Sequence, residues 1–334
     1  MLIGVVGAGA VGGAIAALLE RDGHSVEVTA RGDHLAAIRE RGLRLNGAWG
    51  EHTAPVQANG TLTRVAELVI VATKAQDAAA AIRANVALLR GVPVVVVQNG
   101  LDGIAVATAA SPRSDIVGAL ATLASSYLSP GEIRVTTAGP TYLGVVAGSN
   151  DVPARYAARV LDAVMPTTVI PNFAGAQWTK LVINQINALP AITGLSAQDV
   201  ISRAPLRRIM TASMRENVAV GLASRVHFGT LQGLSHAGLR LFSMLPPWLA
   251  QALPALMAAR IGSTPNPGST LQSIRRGQLT EIDYLNGAVV RAAREIGRDA
   301  PVNATLVELV HDVESTGDFL SPAEVVARFS RAPH

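Results

Sequence analysis

The sequence predicts an α/β fold, with a parallel sheet and crossover helices in the first half and an all-helical second half. Three observations carry this expectation. Short apolar runs recur through the first 120 or so residues with helical stretches between them. A glycine-rich turn links the first run to the first helix. From Phe173 onward the apolar spacing is helical, with breaks near prolines.

Leu2–Val6 is an apolar run of the kind that a strand buried on both faces requires. Gly7-Ala8-Gly9-Ala10-Val11-Gly12 follows and opens a helix to about Leu19. Ser25–Ala30 reads as the second strand and ends at Arg31. Leu68–Ala72 and Pro93–Val97 are further strands, with an alanine-rich helix over 75–90 between them, and Ile116–Leu120 adds another. Over 121–147, Thr, Val and Tyr alternate around Ser129-Pro130-Gly131 and Ala138-Gly139-Pro140, which predicts antiparallel strands finishing the sheet. Met165–Asn172 carries two prolines and is the expected linker, giving domains at 1–168 and 169–334. In the second domain, helix breaks are expected near Pro205, Pro246-Pro247, Pro265–Gly268 and Pro301.

Composition excludes several function classes. Of 334 residues, 49% are apolar and 16% charged, enough to build a core and too apolar for disorder. There is no cysteine, which rules out a disulfide scaffold, a zinc–thiolate site and a thiol nucleophile. The seven histidines are scattered, so no metal is expected; His227 and His236 are the nearest pair. The isoelectric point is about 9.9, yet the formal excess is only +4 and the arginines are dispersed. A solvated basic surface, and no nucleic-acid face, follows. The N-terminal stretch is apolar but lacks a basic leader, and the apolar stretch 241–258 is broken by three prolines. No membrane span is expected. A buried helix or a subunit interface is the reading for 241–258, and a cytoplasmic protein, with a homodimer as one assembly, is the reading for the chain.

Gly7, Gly9 and Gly12 form G-x-G-x-x-G, and Ala16 extends the small-residue pattern. Alone the motif is weak; after a strand and before a helix it is a dinucleotide fingerprint. Gly7 allows the tight turn, Gly9 lets the backbone approach a pyrophosphate, and Gly12 brings the helix close to the sheet. The helix start, with Ala8, Ala10 and Val11, offers N–H groups to the anion. An acid at the end of the second strand would select NAD. Here Arg31 stands at that end, which favours the 2′-phosphate of NADP. Asp33 is read as the cap of the next helix.

Of the 28 basic residues only Lys74 and Lys180 are lysines. Where charge alone is wanted this chain uses arginine, so these two amines are candidates for chemistry. Lys180, Asn184 and Asn187 fall at i, i+4 and i+7 and predict a polar stripe on one helix, facing either a ligand or solvent, with Trp178, Leu181 and Ile183 on the core side. Ser269-Thr270-Leu271-Gln272 reads as a capping box at another helix start.

These motifs occur in a known order. With the glycine fingerprint, VATKAQD around Lys74, VQNGLDG around Asn99, WTKLVIN at 178–184 and NPGSTLQSIRRGQLTEIDYLNG at 266–287, the chain resembles the ketopantoate reductase (2-dehydropantoate 2-reductase) family. The resemblance spans both halves. It implies a Rossmann-type domain followed by a helical domain like the C-terminal domain of 6-phosphogluconate dehydrogenase, with the active site between them. It also implies reduction of a 2-keto acid by NADPH, 2-dehydropantoate to pantoate being the first candidate, a step of pantothenate biosynthesis. In the family pattern Lys180 is the general acid and Glu281 its partner acid, which also meets the cofactor; Asp283 is the other acid nearby. Asn184, Asn266, Ser269 and Asn99 match substrate contacts, and Lys74 and Asn99 line the cofactor's side. Two positions depart from the pattern. Ala188 stands where the family has a second asparagine, and Ser273 where aspartate is common. Both lie on the substrate side, so another 2-oxo acid is the alternative substrate. A non-catalytic NADP sensor is the alternative function.

Overall fold

Buried parallel strands need apolar residues on both faces, and the runs in the first half meet that need. In the computed structural model, which describes residues 1–261 and 266–331, they form an eight-stranded sheet. The chain divides into two units, Met1–Phe173 and Ala174–His334.

In the first unit the strands are β1 (Leu2–Val6), β2 (Ser25–Thr29), β3 (Leu43–Gly47), β4 (His52–Ala54), β5 (Gln57–Asn59), β6 (Leu68–Val71), β7 (Pro93–Val97), β8 (Asp115–Ala121), β9 (Ala124–Ser129), β10 (Glu132–Thr137), β11 (Thr141–Gly144) and β12 (Thr167–Val169). The helices are α1 (Ala10–Arg21), α2 (Gly32–Arg41), α3 (Ala75–Asn85), α4 (Gly103–Ala110) and α5 (Val152–Asp162). The main sheet has the order β12-β11-β8-β7-β6-β1-β2-β5. It is parallel from β5 to β8. β11 then runs antiparallel to β8. From β1 the chain steps outward to β2 and β5, then crosses to β6 on the other side. β1 is therefore the topological switch point, where open α/β sheets take ligands at the carboxyl ends of their strands.

Two expectations need correcting. Of the residues 121–147 only β11 finishes the main sheet; β9 and β10 join β3 and β4 in a second sheet, ordered β4-β3-β10-β9. The reason is apolar pairing: Leu43, Leu45, Ile133 and Val135 are all fully buried, and the missing side chain of Gly13 on α1 leaves room for Ile133. The expected linker is also partly sheet, since Thr167–Val169 pairs with β11 as an edge strand between Pro166 and Pro171.

The second unit is helical. After α6 (Phe173–Asn184) come α7 (Ala188–Thr193), α8 (Ala197–Ser202), α9 (Ala204–Ala223), α10 (His236–Met244), α11 (Pro247–Ala250), α12 (Ala252–Ile261), α13 (Gly268–Arg275), α14 (Asn286–Glu295), α15 (Pro301–Thr316) and α16 (Pro322–Arg331). Pro205 and Pro301 lie in first turns, where a missing N–H costs nothing. Pro265 lies outside the described residues. α9 is the long central helix and buries Leu206, Met210, Met214 and Val218. The 241–258 stretch is not a buried helix: it is divided among α10, α11 and α12, and Leu241, Met244, Trp248 and Leu256 are exposed. Among the described residues no helix is long and apolar enough to cross a membrane.

Candidate active site

In the first unit the candidate residues collect beyond the carboxyl ends of adjacent strands. Gly7 adopts φ of 96°, and a Cβ there would meet Thr73 backbone nitrogen at 2.9 Å. A Cβ on Gly12 would collide with the Gly7 carbonyl. A Cβ on Gly9, by contrast, would meet nothing within 4 Å. Gly9 is exposed and holds the N-cap position of α1 without a side-chain cap, and no acid occupies the first turn. The helix thus opens with uncapped N–H groups and its positive dipole end toward free space, which suits an anion. Ala8 is different, because its N–H donates to Thr29 carbonyl at 2.9 Å. The Gly7 N–H donates to the Thr29 hydroxyl, also at 2.9 Å. These bonds bring the end of β2 against the glycine turn.

Arg31 follows directly and is exposed. It occupies the N-cap position of α2, while Asp33 sits inside the first turn and is not the cap. Gly32, at φ of 53°, lets the chain turn into the helix before Asp33 is reached. Glu27, the other nearby acid, is buried in β2 and spoken for. It accepts from the Thr63 N–H and hydroxyl, both at 2.8 Å, and from Asn59 at 3.1 Å.

Lys74 stands at the N-cap position of α3, three residues beyond β6, and Asn99 two residues beyond β7; both are half-buried. Gln98 donates to the Thr73 carbonyl at 3.3 Å and ties these two loops together. The Thr73 hydroxyl is buried and has no hydrogen-bond partner among the described residues. A buried polar atom without a partner beside a turn with an open cradle fits a bound polar group such as a dinucleotide.

In the second unit Lys180 lies on α6 and is half-buried. Burial pushes its ammonium down to about 8, and the Glu281 carboxylate acts in the opposite sense. Asn184 ends the same helix one turn on. Asn187 does not continue the stripe, because residues 185–187 tighten into a 3₁₀ turn. Its amide oxygen would stand 2.5 Å from a Cβ on Gly268, so it meets the start of α13. Ile183 is only half-buried, whereas Trp178 and Leu181 are core.

A buried amide cluster fixes this turn. Gln185 accepts from Asn286 at 2.6 Å and from the Ser213 hydroxyl. Asn286 also donates to Asn303 at 2.9 Å, and Asn303 donates to Glu216 at 2.6 Å. Asn286 opens α14, five residues after Glu281. The Glu281 segment is held from its other side too, where the Thr280 N–H donates to Glu314 at 2.6 Å. Asp283 is exposed and engaged with His311 at 3.1 Å. Of the two acids in this segment, Glu281 is the one whose charge acts on Lys180.

Asn266 and Ser269 flank the start of α13. The helix begins at Gly268, with Pro267 at the cap position, so Ser269 lies inside the first turn and forms no capping box. Asn266 does the local capping: its side-chain oxygen accepts from the Gly268 N–H at 2.9 Å. Its own N–H donates to Gln198 at 3.0 Å, and its carbonyl accepts from Ala197 at 2.8 Å. Ser269 is exposed; Ser273 is buried and donates to the Ser269 carbonyl at 3.3 Å. Among the described residues no cluster of three or more His, Asp or Glu could hold a metal ion. Sequence reasoning missed Thr29, Gln98 and the Gln185–Asn286 pair. Only Thr29 left a signal, as a hydroxyl at the end of the strand facing the glycine turn.

A glycine turn of this shape suits a pyrophosphate, and an amine titrating near neutrality suits proton donation. The chain accordingly falls among the dinucleotide-dependent oxidoreductases with a Rossmann-type unit. Its family is narrower. The model described as ketopantoate reductase PanE/ApbA matches residues 3–148, and the model for that reductase's C-terminal part matches 172–314. The chain belongs to this family. A 2-dehydropantoate 2-reductase of Halobacterium salinarum is 30% identical over 95% of this chain and 100% of its own length. One of Pyrococcus horikoshii is 26% identical over 95% and 99%. Among solved structures, a PanE/ApbA family ketopantoate reductase from Ralstonia eutropha JMP134 superposes with a TM-score of 0.77 at 28% identity, covering 94% of this chain and 99% of that one. A D-mandelate dehydrogenase solved with NADH and anilino(oxo)acetate has a TM-score of 0.83 at 20% identity, covering 95% and 99%; it shares the fold.

Proposed function

We infer that the chain reduces the keto group of 2-dehydropantoate, giving pantoate, with NADPH as the reductant. Its curated relatives carry that activity in their names over nearly the whole chain. The observation that carries the chemistry is Lys180, the half-buried amine whose pKa burial lowers to about 8 while the Glu281 carboxylate opposes the shift. A general acid works best with a pKa near the working pH, and this one is mostly protonated at neutrality. Gly7 to Gly12 would hold the pyrophosphate, Arg31 the 2′-phosphate, and Lys74 and Asn99 the nicotinamide side. When bound, the nicotinamide supplies hydride to the keto carbon. Lys180 Nζ polarises the keto oxygen and gives it a proton. Glu281 sustains the ammonium form. Asn184, Asn266 and Ser269 orient the substrate's hydroxyl and carboxylate. A cytoplasmic location and a homodimeric assembly accompany this reading.

Another 2-oxo acid is favoured by one observation. Ala188 is wholly buried and has no polar side chain to offer where the family has asparagine, and the neighbouring Asn187 meets the start of α13 instead. The test is a panel of 2-oxo acids assayed by loss of NADPH absorbance. The highest kcat/KM on 2-dehydropantoate supports the first reading, and a higher value on another member supports the second. No turnover of any member, with NADPH still bound, would refute both and leave a cofactor-binding protein.

A further inference from the structure

His34 lies in the first turn of α2, three residues after Arg31. Its Nδ1 accepts from the Gly131 N–H at 2.9 Å, and its Nε2 is 2.6 Å from the Ala8 carbonyl. A backbone N–H can only donate, so Nδ1 carries no proton. The ring is then the neutral tautomer with Nε2–H donating to Ala8. Tyr127 packs edge-on against the imidazole, with ring centroids 4.9 Å apart. The Ala8 N–H is already given to Thr29. Both the N–H and the carbonyl of Ala8 are therefore committed to the protein, and no side chain caps the N–H groups that follow it at the start of α1.

We propose that His34 is a positioning residue for the cofactor. It braces the glycine turn between the Arg31 helix and the β9–β10 hairpin, so that the sites for the pyrophosphate and the 2′-phosphate keep one spacing. The proposal rests on the reading above only in needing a dinucleotide at the glycine turn. It carries a pH dependence with a definite sign. A protonated ring would set a second N–H against the Gly131 N–H and break the brace. Burial already holds the ring below its ordinary value, and the Ala8 bond opposes that. The ionisable groups on the surrounding elements are Arg31, Asp33, Arg39, Glu40 and Arg41 on α2, Tyr127 on β9, and Glu132 and Arg134 on β10. Arg39 donates to the Ala58 carbonyl and Asn59, Arg41 to the Pro130 carbonyl, Arg134 to Asn46, and Glu132 accepts from Asn46 and Ser129. None of these charges contributes to the shift of His34. The brace is intact at neutral pH and fails as the pH falls below the ring's pKa.

The experiment is NADPH binding, followed by fluorescence, on the full-length parent and on His34→Gln and His34→Leu, from pH 7.5 down through the His34 pKa, which is read from the imidazole resonances of the cofactor-free parent. The melting temperature of each cofactor-free protein is recorded alongside. Glutamine carries a donor and an acceptor and does not titrate; leucine carries neither. At pH 7.5 His34→Leu should bind roughly three- to tenfold more weakly than the parent, and His34→Gln should recover most of the loss. The 2′-phosphate of the cofactor also titrates near 6. Dividing the parent Kd by the His34→Gln Kd at each pH removes that contribution. The quotient should rise as the pH falls, by up to about tenfold per unit below the ring's pKa. A quotient flat across the range, or a folded His34→Leu that binds like the parent, would overturn the proposal. Because binding is read without substrate, failure of the 2-keto acid assay would leave this result standing.

Discussion

With Lys180 as the proposed general acid, its lowered pKa should set the alkaline side of the pH–rate profile. An ammonium titrating at about 8 is about 90% protonated at pH 7 and about 10% protonated at pH 9. If that proton goes to the keto oxygen, kcat/KM for 2-dehydropantoate should fall roughly tenfold between pH 7 and pH 9. A lysine in water, near 10.5, would leave the rate flat across the same span. The decisive perturbation is Glu281→Gln. Its carboxylate raises the lysine's pKa against the desolvation that lowers it, so removing the charge must lower the pKa further. An opposite charge at close range shifts a pKa by roughly one unit or more. The descending limb of Glu281→Gln should therefore move toward acid by about that much. The assay is kcat/KM for 2-dehydropantoate at saturating NADPH from pH 6 to 10. A parent profile flat to pH 10, or a limb in Glu281→Gln that stays put or moves toward base, would refute the reasoning.

Further outcomes follow from the first unit. Arg31→Ala should lose roughly ten- to a hundredfold in kcat/KM with NADPH while NADH changes little, since a charge-assisted contact is worth about 1.5–3 kcal/mol; steady-state kinetics with both cofactors checks this. Gly9→Ala fills open space and should cost less than about 1 kcal/mol of stability, yet weaken NADPH binding. Gly12→Ala drives a methyl into the Gly7 carbonyl and should cost about 1–3 kcal/mol before any cofactor is added, read as a fall in Tm. Glu27→Ala leaves the Thr63 N–H and hydroxyl and the Asn59 amide without their acceptor. Urea unfolding should show a loss of about 1–3 kcal/mol.

What the sequence made legible was whatever is encoded locally. β1, β6 and β7 read correctly because a strand buried on both faces is a continuous apolar run. β3, β4 and β5 did not, since LRLNG, HTA and QAN are short and half polar, and their order comes from partners distant in the chain. The same distinction divides the candidate site. The glycine turn is a local shape, visible as spacing. The end of the polar stripe at Asn184 is not local, because Gln185 is drawn into a cluster with Ser213 and Asn286, one of them 101 residues away. Ser269 has the sequence of a cap, but Asn266 supplies the oxygen that caps the turn instead. His34 could not be singled out either, since its significance lies in two backbone groups 26 and 97 residues away.

The second sheet has a consequence for how the chain is made. β3 pairs in parallel with β10, and Asn46 and Arg134, which face each other there, are 88 residues apart. On a ribosome adding roughly 5–20 residues per second, β3 emerges some 4–18 s before its partner. Through that interval β3, whose Leu43 and Leu45 are wholly buried in the finished protein, has α1 packed against it but only the three-residue strand β4 paired along its edges. A nascent chain halted between residues 60 and 130 would expose an unpaired strand edge with apolar side chains. It is there that trigger-type chaperones would be expected to engage, and there that rapid overproduction would first generate aggregate.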